Sequence, residues 1–261
     1  MANSEEAYWG IKEALTGNNK SINGLKILEV GCGLGYLTYA LHSENYDLQG
    51  LDISEEAINN AKQKFGNYFI CEDLFKYAEI NNKTFNVVIL TEVIEHLEHP
   101  IEFLETILKL LNTDGKIILT TPNRTLSPPE IVWDTESPPI HHWWFSENSM
   151  KWIANNFKLS LNFISFKNYY INKPEEYKTK KIRKKVFRDP IINENGKIYS
   201  HRIPRKKGKL EMRLKPVLYK FSFLIRLFLR FKTYIKPSTI ICGKRGKILC
   251  AVFQKTNTSS L

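Results

Sequence analysis

The sequence predicts an α/β fold, a Rossmann-like sheet of seven mostly parallel strands with an antiparallel last strand and helices on both faces. Residues 25–30 form an apolar run of the length expected for a buried parallel strand. This run leads into a glycine-rich turn and a helical pattern, and the next apolar stretch ends at Asp52. Together these segments form the first βαβ unit of a nucleotide-binding sheet. Strand and helix patterns continue to alternate downstream, which predicts a largely parallel sheet.

Length and composition limit the class of protein before any motif is considered. A chain of 261 residues fits one domain of ordinary size with one elaboration. No N-terminal stretch resembles a signal peptide, and no apolar run of about twenty residues predicts a membrane span. The four cysteines, at positions 32, 71, 242 and 250, lack the spacing of a metal or redox motif. We therefore expect a reduced, cytoplasmic protein.

The glycine turn and its flanking acids indicate the kind of ligand. Dinucleotide sites space their glycines as G-x-G-x-x-G, whereas Gly31, Gly33 and Gly35 follow the pattern G-x-G-x-G. Glu29 lies two residues before the first glycine, where a carboxylate would repel a pyrophosphate but suits an ammonium group. Asp52 can accept both hydroxyls of an unphosphorylated ribose. A ribose with a cationic amino-acid tail describes S-adenosylmethionine, and at these residues the chain resembles class I S-adenosylmethionine-dependent methyltransferases.

The elements around this unit follow from periodicity and capping. Residues 4–15 predict a leading helix with Ser4 as its N-cap, and Ser54 caps the helix after the second strand. Residues 68–71 form the third strand, followed by a segment that resembles the adenine-binding part of the family. There an acid and the next backbone N–H, here Asp73 and Leu74, would hold the adenine. The other cofactor-binding residues that the resemblance implies are Gly31, Cys32, Gly33, Gly35, Ile53 and Thr91.

The fourth strand, residues 85–90, carries a further resemblance. With the TEVIEHL segment after it, the strand is similar to the ubiquinone-type O-methyltransferases, which commonly read F-D-V-V and then E-V-L-E-H. Asn86 replaces the usual aspartate. No N-P-P-Y-like segment follows, which counts against methylation of exocyclic base amines. Pro100 opens the next helix, where its missing N–H is not needed, and residues 116–121 form the fifth strand after a turn at 113–115.

Residues 122–146 form a long connection that we interpret as the acceptor pocket. Loops of this length inside a compact domain are usually functional, and this one follows the fifth strand at the edge of the sheet where ligands bind. Its aromatic residues, expected to contact the acceptor, are Trp133, Trp143, Trp144 and Phe145. Ser146 then caps a helix. Residues 159–170 form the sixth strand and residues 247–254 the last one.

Methyl transfer to a hydroxyl needs a group that removes the proton, and histidine suits this role because its pKa lies near neutrality. Six histidines are present. His142 in the acceptor loop is the favoured base, followed by His141 and by His96 after the fourth strand. The acids and histidines show no convincing metal-ligand spacing, so we expect no metal.

A basic segment separates the last two strands. Residues 171–240 hold 21 of the 38 Lys and Arg residues but 5 of the 27 acids, so the rest of the chain is mildly acidic. We expect a methyltransferase core over residues 1–170, this insert, and the last strand with its tail over residues 241–261. Residues 214–232 have the pattern of a basic amphipathic helix, suited to an anionic membrane surface or to docking on this domain or a second subunit.

The acceptor remains open among three classes. The favoured one is a hydroxyl of a small or lipid-linked glycan, because tryptophans offer flat faces to sugar C–H groups. The SPPIHHWWFS segment also resembles methyltransferases of bacterial surface-polysaccharide synthesis. A small phenol or quinone-like lipid equally explains the aromatic residues and an affinity for the inner face of the membrane. An RNA-modifying enzyme would use the insert to bind phosphates, but the apolar helix makes nucleic acid the less favoured partner.

Overall fold

The computed structural model describes residues 4–17, 24–82, 84–126, 139–172 and 246–256. Seven helices lie within these ranges: α1 Ser4–Thr16, α2 Tyr36–His42, α3 Glu55–Phe65, α4 Leu74–Ile80, α5 Pro100–Leu110, α6 Glu147–Asn156 and α7 Lys167–Asn172. The strands in the same ranges are β1 Lys26–Val30, β2 Asp47–Asp52, β3 Phe69–Cys71, β4 Phe85–Thr91, β5 Leu111–Pro122, β6 Leu159–Phe163 and β7 Ile248–Lys255. Two single turns of 3-10 helix cover Ile94–His96 and Arg124–Leu126.

The seven strands form one sheet in the order β3-β2-β1-β4-β5-β7-β6. The pairs from β3 through β5 are parallel, whereas β7 is antiparallel to both β5 and β6. This arrangement confirms the predicted fold class. The strand order reverses at β1, which lies between β2 and β4, and such a switch point leaves a crevice for ligands at the carboxyl ends of the strands.

Helices cover both faces of the sheet, as the alternation along β7 demonstrates. Leu249, Ala251 and Phe253 belong to the main hydrophobic core, which also contains buried side chains from α4, α5 and α6. Cys250 points to the opposite face, because side chains alternate along a strand. There α1 approaches so closely that a Cβ atom on Gly10 would lie 3.3 Å from the Cβ of Cys250. The buried strands therefore read as continuous apolar runs.

Several local predictions are confirmed by the caps and helix starts. The Ser54 side chain accepts a hydrogen bond from the backbone N–H of Ala57 at the start of α3. Ser146 forms a capping box with Ser149 at the start of α6, and Pro100 begins α5. These contacts satisfy N–H groups that the first helical turn leaves without intrahelical partners. The starts of α3, α5 and α6 were therefore predicted correctly, whereas Ser4, predicted as the N-cap of the first helix, is the first residue of α1.

The predicted bounds were wrong at β5 and β6. The fifth strand begins five residues early, because Leu111 pairs with Phe85 before a register shift brings Lys116 opposite Val87. The predicted turn at 113–115 is thus an irregularity within β5. The sixth strand ends at Phe163, where its pairing with β7 ends, and residues 167–172 form α7 instead of continuing the strand. The alternation through Leu161, Phe163 and Ser165 resembled a longer strand, but after the N–H of Ile164 donates to the carbonyl of Cys250 on β7 the chain turns into α7.

The structure describes only part of the basic insert and only part of the acceptor loop at residues 122–146. Of the predicted insert, residues 171–172 end α7 and residues 173–240 lie outside the described ranges, as does Trp133. The predicted amphipathic helix at 214–232 and the domain bounds therefore stay predictions. Within the ranges that the structure describes, no helix has the length and apolar character needed to cross a membrane.

Candidate functional site

A cavity of about 520 Å³ opens at the carboxyl ends of β1, β2 and β4, beside the first turns of α4 and α5. This volume lies in the range of small-molecule sites. The predicted cofactor residues that line the cavity are Gly31, Asp52, Ile53, Asp73 and Leu74. The remaining predicted cofactor residues, which do not line it, are Glu29, Cys32, Gly33, Gly35 and Thr91. The position of the cavity agrees with the switch point of the sheet.

The glycine turn after β1 needs glycine for two different reasons. All three glycines have positive φ angles, 76° at Gly31, 51° at Gly33 and 74° at Gly35. A Cβ atom on Gly31 would lie 2.5 Å from a methyl carbon of Val93, and one on Gly35 would lie 2.4 Å from the Phe69 ring. No heavy atom lies within 4 Å of the position a Cβ would take on Gly33. Gly31 and Gly35 therefore permit close packing, whereas Gly33 presents bare backbone to open space.

Asp52 is held in place by backbone groups at the end of β2. Its Oδ2 atom accepts a hydrogen bond from the N–H of Gly33 at 2.7 Å, and its Oδ1 atom accepts one from the N–H of Ser54 at 2.8 Å. A carboxylate oxygen can accept more than one hydrogen bond. The carboxylate is thus fixed at the cavity wall and can still accept hydroxyl groups from a ligand.

Glu29 lies beneath the glycine turn and away from the cavity wall. Its side chain is buried and accepts a hydrogen bond from the hydroxyl of Thr38 on α2. Burial raises the pKa of the Glu29 carboxyl to about 7, although the Thr38 hydrogen bond acts in the opposite direction. Burial, with the nearby charges of Glu29 and Asp52, also raises the pKa of the Cys32 thiol well above its usual range. Cys32 is therefore a packed thiol and not a reactive one.

Asp73 and Leu74 lie at the start of α4, on the cavity wall. The Oδ1 atom of Asp73 caps the helix by accepting hydrogen bonds from the N–H groups of Phe75 and Lys76, at 2.8 and 3.2 Å. The sequence signal for a ligand-binding acid was thus also a helix-cap signal. Its second oxygen, Oδ2, receives no hydrogen bond from the part of the chain that the structure describes.

His96 is the predicted histidine that faces the cavity. Its Nδ1 atom lies 2.6 Å from the carbonyl oxygen of Ile140. Because a carbonyl can only accept, Nδ1 is the nitrogen that carries the proton in the neutral ring, and the lone pair is then on Nε2. His141 is buried against it, with ring centroids 4.7 Å apart, and burial followed by the charge of His96 lowers the pKa of His141 to about 4. The favoured base, His142, is exposed and does not line this cavity.

Glu95, His96 and His141 form a cluster that could hold a divalent cation. One ligand atom from each lies within 4.8 Å of the other two. The hydroxyl of Thr121 donates to Glu95 at 3.0 Å, and the buried Nδ1 of His141 has no hydrogen-bond partner among the described residues. Imidazole nitrogen and carboxylate oxygen, oriented by such outer contacts, suit metal ions. The expectation of no metal rested on spacing alone, and the wide separation of His141 from the other two hid the cluster.

The aromatic end of the acceptor loop is fastened over the 3-10 turn after β4. The indole N–H of Trp143 donates to the carbonyl of Leu97 at 2.9 Å. Backbone N–H groups of His142 and Trp143 donate to the carbonyl of Glu95. The Trp143 and Trp144 side chains stay 47% and 37% exposed, whereas Phe145 belongs to the main hydrophobic core. Of the predicted acceptor residues in the described ranges, the two tryptophans therefore stay exposed, but like His142 they do not line this cavity.

The cavity wall is acidic. The predicted Asp52 and Asp73 are joined by acids that sequence reasoning missed: Glu72, Glu92, Glu98 and Glu102. Among the described residues, no Lys or Arg side chain lines the cavity. Such a wall disfavours a pyrophosphate and favours a ligand with positive charge. Glu72 follows β3, and Glu92 and Glu98 follow β4, so their position after a strand was the signal that could have identified them. Glu102 lies in the first turn of α5.

Comparisons with known proteins agree with this geometry. A family profile described as a methyltransferase domain matches residues 10–161. A ubiquinone biosynthesis O-methyltransferase from Haemophilus ducreyi is 33% identical over 112 residues, which are 40% of this chain and 48% of that protein. The mitochondrial ubiquinone biosynthesis O-methyltransferase of Bos taurus is 32% identical over 115 residues, 41% of this chain and 31% of that protein. The chain thus spans half or less of the length of these relatives.

Two solved structures with the same kind of fold align with most of this chain. The plantazolicin methyltransferase BpumL in complex with SAH is 19% identical, with a TM-score of 0.53 and coverage of 98% of this chain and 87% of that one. A SAM dependent methyltransferase from Archaeoglobus fulgidus is 15% identical, with a TM-score of 0.50 and coverage of 95% and 94%. At these identities the likeness concerns the fold alone.

Proposed function

This chain belongs to the methyltransferase family, as its glycine turn and acids predicted, and we propose that it transfers a methyl group from S-adenosylmethionine to a hydroxyl oxygen. The observation that carries the proposal is the pairing of Asp52 with the open backbone of Gly33 at the switch point of the sheet. A ribose can approach the carboxylate there without meeting a side chain on the turn.

The residues of the site suit the three parts of this cofactor. Asp52 would accept the ribose hydroxyls, and the free oxygen of Asp73 with the N–H of Leu74 would bind the adenine edge. The acidic wall would favour the positive charges of the sulfonium and the ammonium. The buried Glu29 would add to this attraction in its ionised form, which burial disfavours by raising its pKa to about 7. The bound cofactor would supply an activated methyl group, and S-adenosylhomocysteine would remain as the product.

His96 would take the acceptor proton. Its Nε2 lone pair is available because Nδ1 donates to Ile140, and its ring lies on the cavity wall. The protein would hold the hydroxyl oxygen in line with the methyl group while His96 removes the proton. His142, which the sequence favoured, has an exposed side chain that is not on this wall, so His96 is the better candidate.

For the acceptor we propose a sugar hydroxyl, on a small or lipid-linked glycan. The exposed rings of Trp143 and Trp144 support this choice because flat aromatic faces suit sugar C–H groups. The indole N–H of Trp143 bonds to Leu97, next to His96. A phenol of the quinone type is the second candidate, favoured by the names of the curated relatives. The basic segment 214–232 would hold the enzyme at an anionic membrane surface.

Two measurements test this function. Calorimetry should detect S-adenosylhomocysteine binding, weakened in Asp52→Ala, and tighter binding of NAD would contradict the proposal. Transfer of a labelled methyl group should then be compared between an oligosaccharide panel and a catechol panel. Product on the catechols alone would replace the sugar assignment. Liposome flotation of the full chain in low and high salt tests the membrane contact, which should weaken as salt is added.

The base is tested by matched histidine variants. His96→Asn should lower kcat by about 10²-fold or more with cofactor affinity unchanged, whereas His142→Asn should stay close to the wild type. The reverse result would restore His142 as the base. If a chelator stops the wild-type reaction and a divalent cation restores it, then Glu95, His96 and His141 act by holding that cation and His96 is not the base.

A further inference from the structure

A buried hydrogen bond joins α2 to β1 under the glycine turn. The hydroxyl of Thr38 donates to the Oε2 atom of Glu29. Thr38 is 0% exposed and Glu29 is 2% exposed, so neither group is solvated by bulk water. Thr38 lies in the first turn of α2, which begins at Tyr36. Its hydroxyl is thus directed from the start of the helix to the carboxyl group on β1.

The hydroxyl of Thr38 lies close against the backbone of β2. A Cβ atom on Gly50 of β2 would lie 2.8 Å from the Thr38 hydroxyl oxygen and 2.8 Å from the Cys32 sulfur. The hydroxyl is therefore confined between the bare backbone of β2 and the carboxyl group. Replacing the hydroxyl by a methyl group of similar size would remove the hydrogen bond to Glu29 and leave the packing filled.

The groups around Glu29 offer its negative charge little stabilisation. Asp52 approaches from the end of β2 and the Cys32 thiol from the turn, while Thr38 approaches from α2. On β4 the residue opposite Glu29 is the apolar Ile89. Among the described residues that influence Glu29, none is a lysine or arginine, and the charge of Asp52 opposes ionisation. Thr38 thus offsets part of the cost of burying this carboxylate through its hydroxyl and its backbone N–H, and Thr38→Val would remove the first of these donors and keep the second.

We propose that Thr38 is a positioning residue for cofactor recognition, whose hydroxyl keeps the Glu29 carboxylate ionised and directed so that it attracts the ammonium group of the cofactor. This inference rests on the proposed function and adds to it a residue that does not line the cavity. It assigns the selectivity for the amino-acid end of the ligand to the pair of Thr38 and Glu29.

The pair makes recognition depend on pH. Burial raises the pKa of Glu29 to about 7, and the Thr38 hydrogen bond lowers it. In the wild type, affinity for a ligand with an ammonium group should therefore fall as the pH drops through about 7. Without the hydroxyl the pKa of Glu29 rises further, so the same fall should occur at a higher pH. A ligand that lacks the ammonium group should not follow either change.

The experiment uses the full chain, two ligands and two substitutions. S-adenosylhomocysteine carries the ammonium group, and 5′-methylthioadenosine shares its nucleoside but lacks the amino-acid end. Thr38→Val keeps the shape and removes the hydroxyl, whereas Thr38→Ser keeps the hydroxyl. Calorimetry at pH 6, 7, 8 and 9 should give about tenfold weaker S-adenosylhomocysteine binding for Thr38→Val at pH 7. Binding of 5′-methylthioadenosine should be unchanged, and Thr38→Ser should restore the wild-type pattern.

Three results would overturn the inference. Equal weakening of both ligands in Thr38→Val would mean that Thr38 only supports the turn. Unchanged binding of S-adenosylhomocysteine would mean that the hydroxyl has no part in recognition. In the wild type itself, which needs no variant to fold, the preference for S-adenosylhomocysteine over 5′-methylthioadenosine must grow between pH 6 and pH 8, and a constant preference refutes the proposal. Failure of the wild type to bind either ligand would instead refute the proposed function.

Discussion

The glycine turn allows a test that separates packing from ligand binding. Gly35 has a φ of 74°, and a Cβ added to it would lie 2.4 and 2.5 Å from two carbons of the Phe69 ring. Phe69 is 3% exposed and packs in a small core cluster with Ile58, Ala61 and Cys32, so the ring has little room to move. In Gly35→Ala the left-handed backbone should cost about 1–2 kcal/mol. The overlap should add about 1–3 kcal/mol.

Gly33→Ala is the matched control. Its φ of 51° brings a similar backbone cost of about 1–2 kcal/mol, but its Cβ meets no heavy atom within 4 Å. The free energy of unfolding should therefore fall by about 2 kcal/mol more in Gly35→Ala than in Gly33→Ala. Urea unfolding with an unchanged m-value measures this difference. S-adenosylhomocysteine affinity should also fall in Gly33→Ala, because the new methyl group would lie beside Asp52, the carboxylate proposed to accept the ribose.

Either of two outcomes refutes this reasoning. Equal destabilisation by the two substitutions would mean that the Phe69 ring yields easily and that packing does not require Gly35. Wild-type affinity for S-adenosylhomocysteine in Gly33→Ala would mean that the cofactor does not approach the backbone of this turn. In that case the open space at Gly33 would need another explanation.

Two other predictions concern stability. Ser146→Ala should lower the free energy of unfolding by about 1 kcal/mol, because it removes the oxygen that accepts the N–H of Ser149. The exposed Ser43→Ala should change this free energy little. Urea unfolding of both variants measures the difference, and equal losses would contradict the prediction. The pKa of Glu29 is about 7 in the folded chain against an ordinary 4.5, so the folded state binds more protons and stability should fall by about 3 kcal/mol as the pH rises between these values. Glu29→Gln should lack this slope in unfolding measurements from pH 4 to pH 8, and an equally sloped variant would assign the effect to other groups.

The strand, turn and helix order could be predicted because it depends on neighbouring residues. Apolar runs of strand length, serine caps and the placement of Pro100 report local backbone preferences, and the described elements follow them. The positions of Asp52 and Asp73 could be predicted for the same reason, since carboxyl ends of parallel strands share one edge of the sheet. The end of β6 could not, because it depends on where pairing with β7 stops, nearly ninety positions along the chain.

The sequence by itself determined the α/β class, the glycine turn and the acids at the strand ends, because each is a short pattern read along the backbone. Only the tertiary structure brought His141 against Glu95 and His96, since the path of the loop after β5 decides that contact. It also directed the Thr38 hydroxyl to Glu29, and it left His96 on the cavity wall with His142 exposed. Such side-chain meetings depend on how helices and loops pack against the sheet, and no local pattern specifies that packing.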